Sequence, residues 1–427
     1  MVKALNLKID WLFWFILLMP TFYVFNTPLR EIQANFFQVA VMVMVGLFCV
    51  NRYLGAFLVW SACSYIFINH DGYGLVTLQN TFFGILLYQF IVLYSRPSGY
   101  KKYLWALIGI LLFNIAWTPL QIFDVDPVWR IVNLDKIQVM TEYQGWFALP
   151  AFLGNYVALV LPFILAMCVW LVPFALIGLW FSKSTFSVVA AVGATLFFFW
   201  FKKRILFWAL LIILAVASAF YIRTDLKTGQ FGRRLKCWHS TLHGAFQKQF
   251  FGNGIGMYGN NIMVVEVTPT HNTLLARHPI QLFEFIHNEA AESGKPQLAD
   301  YIKEKVKDFQ RGNPTVPMAE ISNVFQKENM DVMVWKETHN DFIQTFFNLG
   351  LVGLGLIILY ICNIFRRFWK VGTKSTVNVM FASSFLAIII ITMGHFPFQV
   401  ARLAGPFIVV LAMYEGFLIQ AEKQLEI

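Results

Sequence analysis

Twelve apolar runs of spanning or near-spanning length, divided by segments that hold nearly all of the charge, constrain this chain more than any motif does. They fall at about 10–26, 36–52, 53–69, 78–95, 103–120, 148–168, 169–182, 186–201, 205–222, 342–364, 376–396 and 400–420. About 20 apolar residues in helical form cross a bilayer core, and a helix satisfies its backbone polar groups within one segment. The expected fold class is therefore an all-α polytopic membrane protein with about 12 transmembrane helices and one large, mostly helical loop. Composition agrees, since 58% of the 427 residues are apolar and 13% are charged, against about 25% charged in soluble domains. A cytosolic enzyme, a secreted disulfide scaffold and a disordered chain are thereby excluded. The first run follows Lys3 and Lys8 and has no small-residue cleavage site, so it reads as an uncleaved anchor.

The basic residues sort by side. With the N-terminus inside, Lys3, Lys8, Arg52, Arg96, Lys101, Lys102, Lys202, Lys203, Arg204, Arg366, Arg367, Lys370, Lys374 and Lys423 fall in the cytoplasm. The opposite short loops and span ends carry Arg30, Arg130, Lys136, Lys183 and Arg402 against Glu31, Asp71, Asp124, Asp126, Asp135 and Glu142. This is the positive-inside pattern, and it places both termini in the cytoplasm. The uninterrupted stretch 148–182 must then cross twice, or the 96–102 and 202–204 clusters could not share a side.

Three regions follow: an N-terminal membrane domain of about nine helices at 1–222, a loop domain at 223–340, and a C-terminal membrane domain of about three helices at 341–427. The loop is external by parity. It holds 14 Lys and Arg and 12 Asp and Glu, a near-neutral balance that argues against a nucleic-acid partner. Of the five cysteines only Cys237 lies in the loop, so no disulfide can form within it.

Within the loop, residues 233–250 read as a helix with Leu235, Trp238, Leu242 and Phe246 at helical spacing. Glycines at 252, 254, 256 and 259 follow and demand a tight turn. Positions 254 to 259 fit GxGxxG, but no apolar strand precedes them, so a dinucleotide site is not expected. Residues 295–311 form an amphipathic helix with Leu298, Ile302, Val306 and Phe309 on one face. That face packs on the rest of the loop or lies on the membrane surface as a lid. A second short helix is expected around 317–331.

His239 and His243 stand four residues apart on one helix face, but HSTLH lacks the glutamate of a zincin and an obvious third ligand. They read as interfacial or core histidines, and no metal is expected. His339 differs because it directly precedes a span. With Thr338 as cap and Asp341 completing a capping box, it falls in the first helical turn. There the positive end of the helix dipole keeps the imidazole neutral and available as a base, and free amides suit an anion. The alternative is a helix cap without chemistry.

These residues carry a resemblance. HNDFIQTFFNLGLVG, with His339 and Asn340 ahead of Gly350 and Gly353 at the start of a span, resembles the signature of the O-antigen ligase family, whose superfamily includes O-antigen polymerases and protein O-oligosaccharyltransferases. Arg234 ahead of Trp238, followed by the Gly252 to Gly256 turn, resembles that family's loop entrance. Weaker matches are Gly154, Asn155, Ala158 and Pro162, and the Ser182 to Thr185 turn. Together they cover about 150 to 365 in order; residues 263–336 match nothing in the family.

The resemblance implies a membrane glycosyltransferase in the bacterial inner (cytoplasmic) membrane. Its donor would be a glycan on undecaprenyl diphosphate, its acceptor a lipid A-core sugar or, in a polymerase, a growing glycan, and it would work at the periplasmic face. His339 would be the catalytic base, with Asn340, Gly350 and Gly353 in support. Arginine forks suit a diphosphate: Arg234 first, Arg233 beside it, and Arg277 and Arg402 as further candidates. No metal or other cofactor is required, and direct displacement inverts the anomeric carbon. Membrane lipids are the remaining partners. Ligase is preferred over polymerase because the His-Asn spacing and the arginine ahead of the tryptophan fit it more closely. A polytopic transporter is the reading from another class; coupled transporters bury ionisable residues in mid-span, and Glu415 is the only acid well inside one.

Overall fold

The computed structural model describes residues 29–68, 72–94, 100–122, 150–212, 230–258, 263–268, 272–276, 279–310, 331–335, 340–395, 398 and 401–426. Before the loop they form helices α1 (Leu29–Leu47), α2 (Arg52–Phe67), α3 (Gly72–Tyr94), α4 (Tyr100–Ile122), α5 (Pro150–Met167), α6 (Val172–Ser182) and α7 (Thr185–Lys202). Residues 204–212 are also helical. The run at 10–26 lies outside the described residues. Seven described helices are long and apolar enough to cross a membrane: Gly74–Tyr94, Tyr100–Gln121, Pro150–Met167, Thr185–Lys202, Asp341–Val371, Thr376–Gly394 and Ala404–Leu425. The apolar stretches Gln38–Leu47 and Val169–Ser182 are helical but shorter.

The stretch 148–182 does divide in two. A 3-10 turn at Val169–Leu171 separates α5 from α6, which packs back against it. Pro173 at the start of α6 fits this restart, since a first-turn proline loses no intrahelical bond.

The core of the bundle is α5, buried from Phe152 through Ile164, with α7 and α12 (Thr376–Gly394) against it. In α7 the buried residues are Ser187, Ala190, Ala191, Ala194 and Phe198, a stripe of mostly small side chains at helical spacing. Small residues let membrane helices approach until backbones touch, where dispersion rather than water exclusion holds them. α7 and α12 run antiparallel. Ser184 at the start of α7 bonds His395 at the end of α12, while Lys202 Nζ at its other end donates to the carbonyls of Thr373 and Lys374. A second apolar cluster joins α1, α2 and α3 to Ile255 and Leu349.

The described part of the loop comprises α8 (Gln230–Phe246), β1 (Met263–Thr268), β2 (Asn272–Ala276), α9 (Pro279–Glu292), α10 (Pro296–Gln310) and β3 (Asp331–Trp335). The strands pair antiparallel in the order β2-β1-β3, with Val265 opposite Leu274 on one side and Val334 on the other. This sheet goes beyond the mostly helical expectation for the loop. Its segments MVVEVT and DVMVW are β-branched, which favours strands, but runs this short have no period that separates strand from helix. The short helix expected around 317–331 falls outside the described residues except at Asp331, which is strand. The apolar face of α10 buries Leu298, Ala299 and Ile302, and α10 packs on α9, where His287 Nδ1 lies 2.9 Å from Ala299 O. Of the two expected placements, this helix packs within the loop.

Beyond the loop come α11 (Asp341–Val371), α12 and α13 (Ala401–Leu425). α11 is broken at Gly350, whose φ of 66° and ψ of −166° are not helical.

Candidate functional site

The site is built where α8, α11, α12 and the start of α7 meet. Asn340 caps α11: its Oδ1 accepts from Phe342 N and Ile343 N, each at 3.0 Å. Its Nδ2 donates to Met393 O on α12 at 2.9 Å. The cap is therefore Asn340 and not Thr338, so His339 precedes the helix instead of lying in its first turn. The reason is chemical: an asparagine directly before the first helical residue satisfies two orphan amides at once, and asparagine is among the strongest N-caps. A second correction follows. Those two amides are occupied by the cap and are not open to an anion. His339 itself, and Thr338, lie outside the described residues.

The neighbouring carbonyl of α12 is taken from the other side. Arg234 of α8 donates from Nη1 to Gly394 O at 2.8 Å, and its guanidinium lies 5.1 Å from the centroid of the Phe186 ring. The Phe186 ring sits where a side chain at Gly394 would be, so glycine is required there. Trp238, one turn along α8 from Arg234, also faces Phe186, with ring centroids 6.4 Å apart. Among the described residues no carboxylate pairs with Arg234. Burial pulls its pKa below the usual arginine range, the direction expected of a cation removed from water. A half-buried guanidinium held by a carbonyl and a ring face gains from an arriving anion.

His395 was not singled out by the sequence reasoning. It ends α12, is buried, and places Nε2 3.1 Å from Ser184 Oγ, with its ring edge-on to Phe186. A histidine closing an apolar run was the available signal. Ser184 also caps α7, accepting from Ser187 N, and Ser187 Oγ donates to Asn155 Oδ1 at 2.8 Å. The weak matches at 154–155 and 182–185 thus converge on the same end of the bundle.

The glycine turn is tight, as expected, and it is consumed by α11. Where Gly350 breaks that helix, the freed carbonyls of Phe347 and Asn348 accept from Asn253 N and Gly254 N, each at 2.9 Å, and Leu349 O accepts from Trp60 Nε1 at 2.9 Å. In return Leu351 N donates to Gln249 O at 2.8 Å. Gly252 has φ +76°, and a side chain on it would strike Asn348 O; one on Gly350 would strike Phe250 O. The missing side chain of Gly353 leaves room for Leu349. Gly350 and Gly353 therefore act by permitting the break, and Gly254, which opens the GxGxxG pattern, spends its amide on Asn348 O.

Arg233 lies on α8, but its side chain is outside the described residues, as are Arg277 and the side chain of Arg402. His239 and His243 are both exposed on α8, so neither is a core residue. Among the described residues no group of three or more His, Cys, Asp or Glu is placed to hold a metal. Glu415 is buried at the opposite end of the bundle from Arg234 and Asn340.

No protein-family model matches the chain, and no curated protein matches it at significant similarity. The fold and site define a multi-pass helical membrane protein with an arginine and an asparagine gathered on the end of one spanning helix.

Proposed function

We propose that the chain is a membrane glycosyltransferase of the O-antigen ligase type. It would move a glycan from undecaprenyl diphosphate to a lipid A-core sugar at the periplasmic face of the bacterial inner membrane. In this reading the chain crosses about twelve times with both termini in the cytoplasm, and residues 223–340 are periplasmic. The observation that carries the reading is the meeting of Arg234 and Asn340, the two separate parts of the motif, on neighbouring carbonyls of α12.

Arg234 binds the donor diphosphate. Its charge is already partly desolvated, so little reorganisation is needed when negative charge grows on the leaving oxygen. His339, directly before the cap, takes the proton from the acceptor hydroxyl as that oxygen attacks the anomeric carbon. The bond from that carbon to the diphosphate breaks, undecaprenyl diphosphate leaves, and the configuration inverts. Asn340 fixes the backbone that carries His339.

The lipopolysaccharide pattern of a deletion strain tests this. Loss of a ligase leaves complete chains on the carrier lipid and only bare core in the outer lipid. A band of core bearing a single repeat would instead mean polymerase, with the same residues in the same roles. An unchanged pattern would remove both.

A further inference from the structure

Away from Arg234 and Asn340, at the other end of α11 and α13, lies an open cavity of about 740 Å³. Its inner wall is a closed set of polar contacts. Asn51 caps α2 through Oδ1 and donates Nδ2 to both carboxylate oxygens of Glu415, each at 2.9 Å. Arg367 reaches Glu415 with Nη1 at 3.1 Å and grips Glu422 Oε2 with Nε and Nη2 at 3.1 and 2.9 Å. Both acids thus have partners within the protein itself.

The outer wall is different. Arg52, Arg366 and Lys370 line it, so the cavity has two more basic than acidic side chains. Lys370 is drawn to Glu426. Arg52 leans on the Tyr53 ring and donates to its hydroxyl, and among the described residues neither Arg52 nor Arg366 meets a carboxylate. The lip at the α1 to α2 connection is apolar, with Leu47, Phe48 and Val50 exposed. Two arginine forks above a floor whose carboxylates are already bonded by Asn51 and Arg367, entered across an apolar lip at a bundle end, suit a group with a phosphate on one side and acyl chain on the other.

We infer that this cavity binds the phosphate-bearing headgroup of an anionic lipid, held by Arg52 and Arg366. The inference is independent of the glycan-transfer reading. Free phosphate shares the headgroup's chemistry, and the experiment separates the two sources. The full chain is purified in detergent, loaded with phosphatidylglycerol or with phosphatidylethanolamine, and scored for retained lipid by native mass spectrometry. Phosphatidylglycerol is expected to be retained over phosphatidylethanolamine, and Arg52→Ala/Arg366→Ala to weaken that retention about tenfold or more. Lys101→Ala/Lys102→Ala removes the same charge from exposed positions that do not line the cavity, and should retain phosphatidylglycerol as the unmodified protein does.

Inorganic phosphate that binds the lipid-free protein and displaces phosphatidylglycerol supports the site with a soluble anion as its occupant. Equal retention of the two lipids, or equal loss in the two double variants, overturns it. If the alanine pair aggregates, Arg52→Gln/Arg366→Gln takes its place with the same two outcomes.

Discussion

Arg234 and Asn340 donate to successive carbonyls, Gly394 O at 2.8 Å and Met393 O at 2.9 Å. The last turn of α12 thus becomes a common anchor for α8 and the start of α11. Helix ends leave their final carbonyls unsatisfied, and here two side chains from distant parts of the chain take up that demand. The consequence is a fixed separation between the guanidinium and the residue that precedes α11.

Arg234→Lys should be nearly as damaging as Arg234→Ala. An ammonium keeps the charge but cannot bond Gly394 O and a diphosphate together from one rigid fork or lie flat on Phe186. A fall in transfer of about 10²-fold is expected of either, from the size of single electrostatic contacts in active sites. Transfer by purified variants from a carrier-linked glycan is the measurement, and a Lys variant with wild-type rate would detach Arg234 from the chemistry.

Asn340 predicts a split between stability and geometry. Asn340→Ala loses the cap and the tie to Met393, together about 2 kcal/mol. Asn340→Asp keeps the accepting oxygen for Phe342 and Ile343 but no longer donates to α12. Thermal unfolding in detergent should therefore rank wild type above Asp above Ala. Equal midpoints for Asp and Ala would mean that the capping bonds contribute nothing.

At the break in α11, Gly252→Ala and Gly350→Ala should each prevent accumulation of folded protein in the membrane, since both combine positive φ with a clash against backbone. Gly294 is the control. It also has positive φ, at +71°, but a side chain there meets open space, so Gly294→Ala should cost about 1 kcal/mol. Similar membrane levels for all three would contradict the interlock.

Sidedness is tested by reporters. A periplasm-active reporter fused at Gly312 and a cytoplasm-active one at Gly372 should both be active. The opposite pattern would invert the topology and remove the donor from reach of Arg234.

Seven of the expected spans were legible because apolar runs about 20 residues long have few other solutions, and the parity of the flanking charge clusters called for the break within 148–182. The cap was misplaced by two residues. Thr338 and Asn340 both head plausible capping patterns; asparagine is the stronger cap, and its donation to Met393, fixed by tertiary packing, adds to the choice. Gly252 and Gly350 were each recognisable as unusual, but not that they face one another. That needs contact across about a hundred residues, and no local period carries it. His395 escaped notice because a histidine after an apolar run gives no hint of Ser184, which is supplied by the antiparallel pairing of α7 and α12. The sheet was hidden for the same reason that short strands usually are.

The central claim is that His339 is the base of a glycosyl transfer, and His339→Ala tests it most directly. The purified variant, matched in amount to the unmodified protein and eluting as it does, is given a glycan on undecaprenyl diphosphate and a lipid A-core acceptor. The account predicts a rate lower by about 10²- to 10⁴-fold, the usual contribution of a general base, with donor binding retained through Arg234. A rate near that of the unmodified protein would contradict it and leave His339 as the residue before a helix cap.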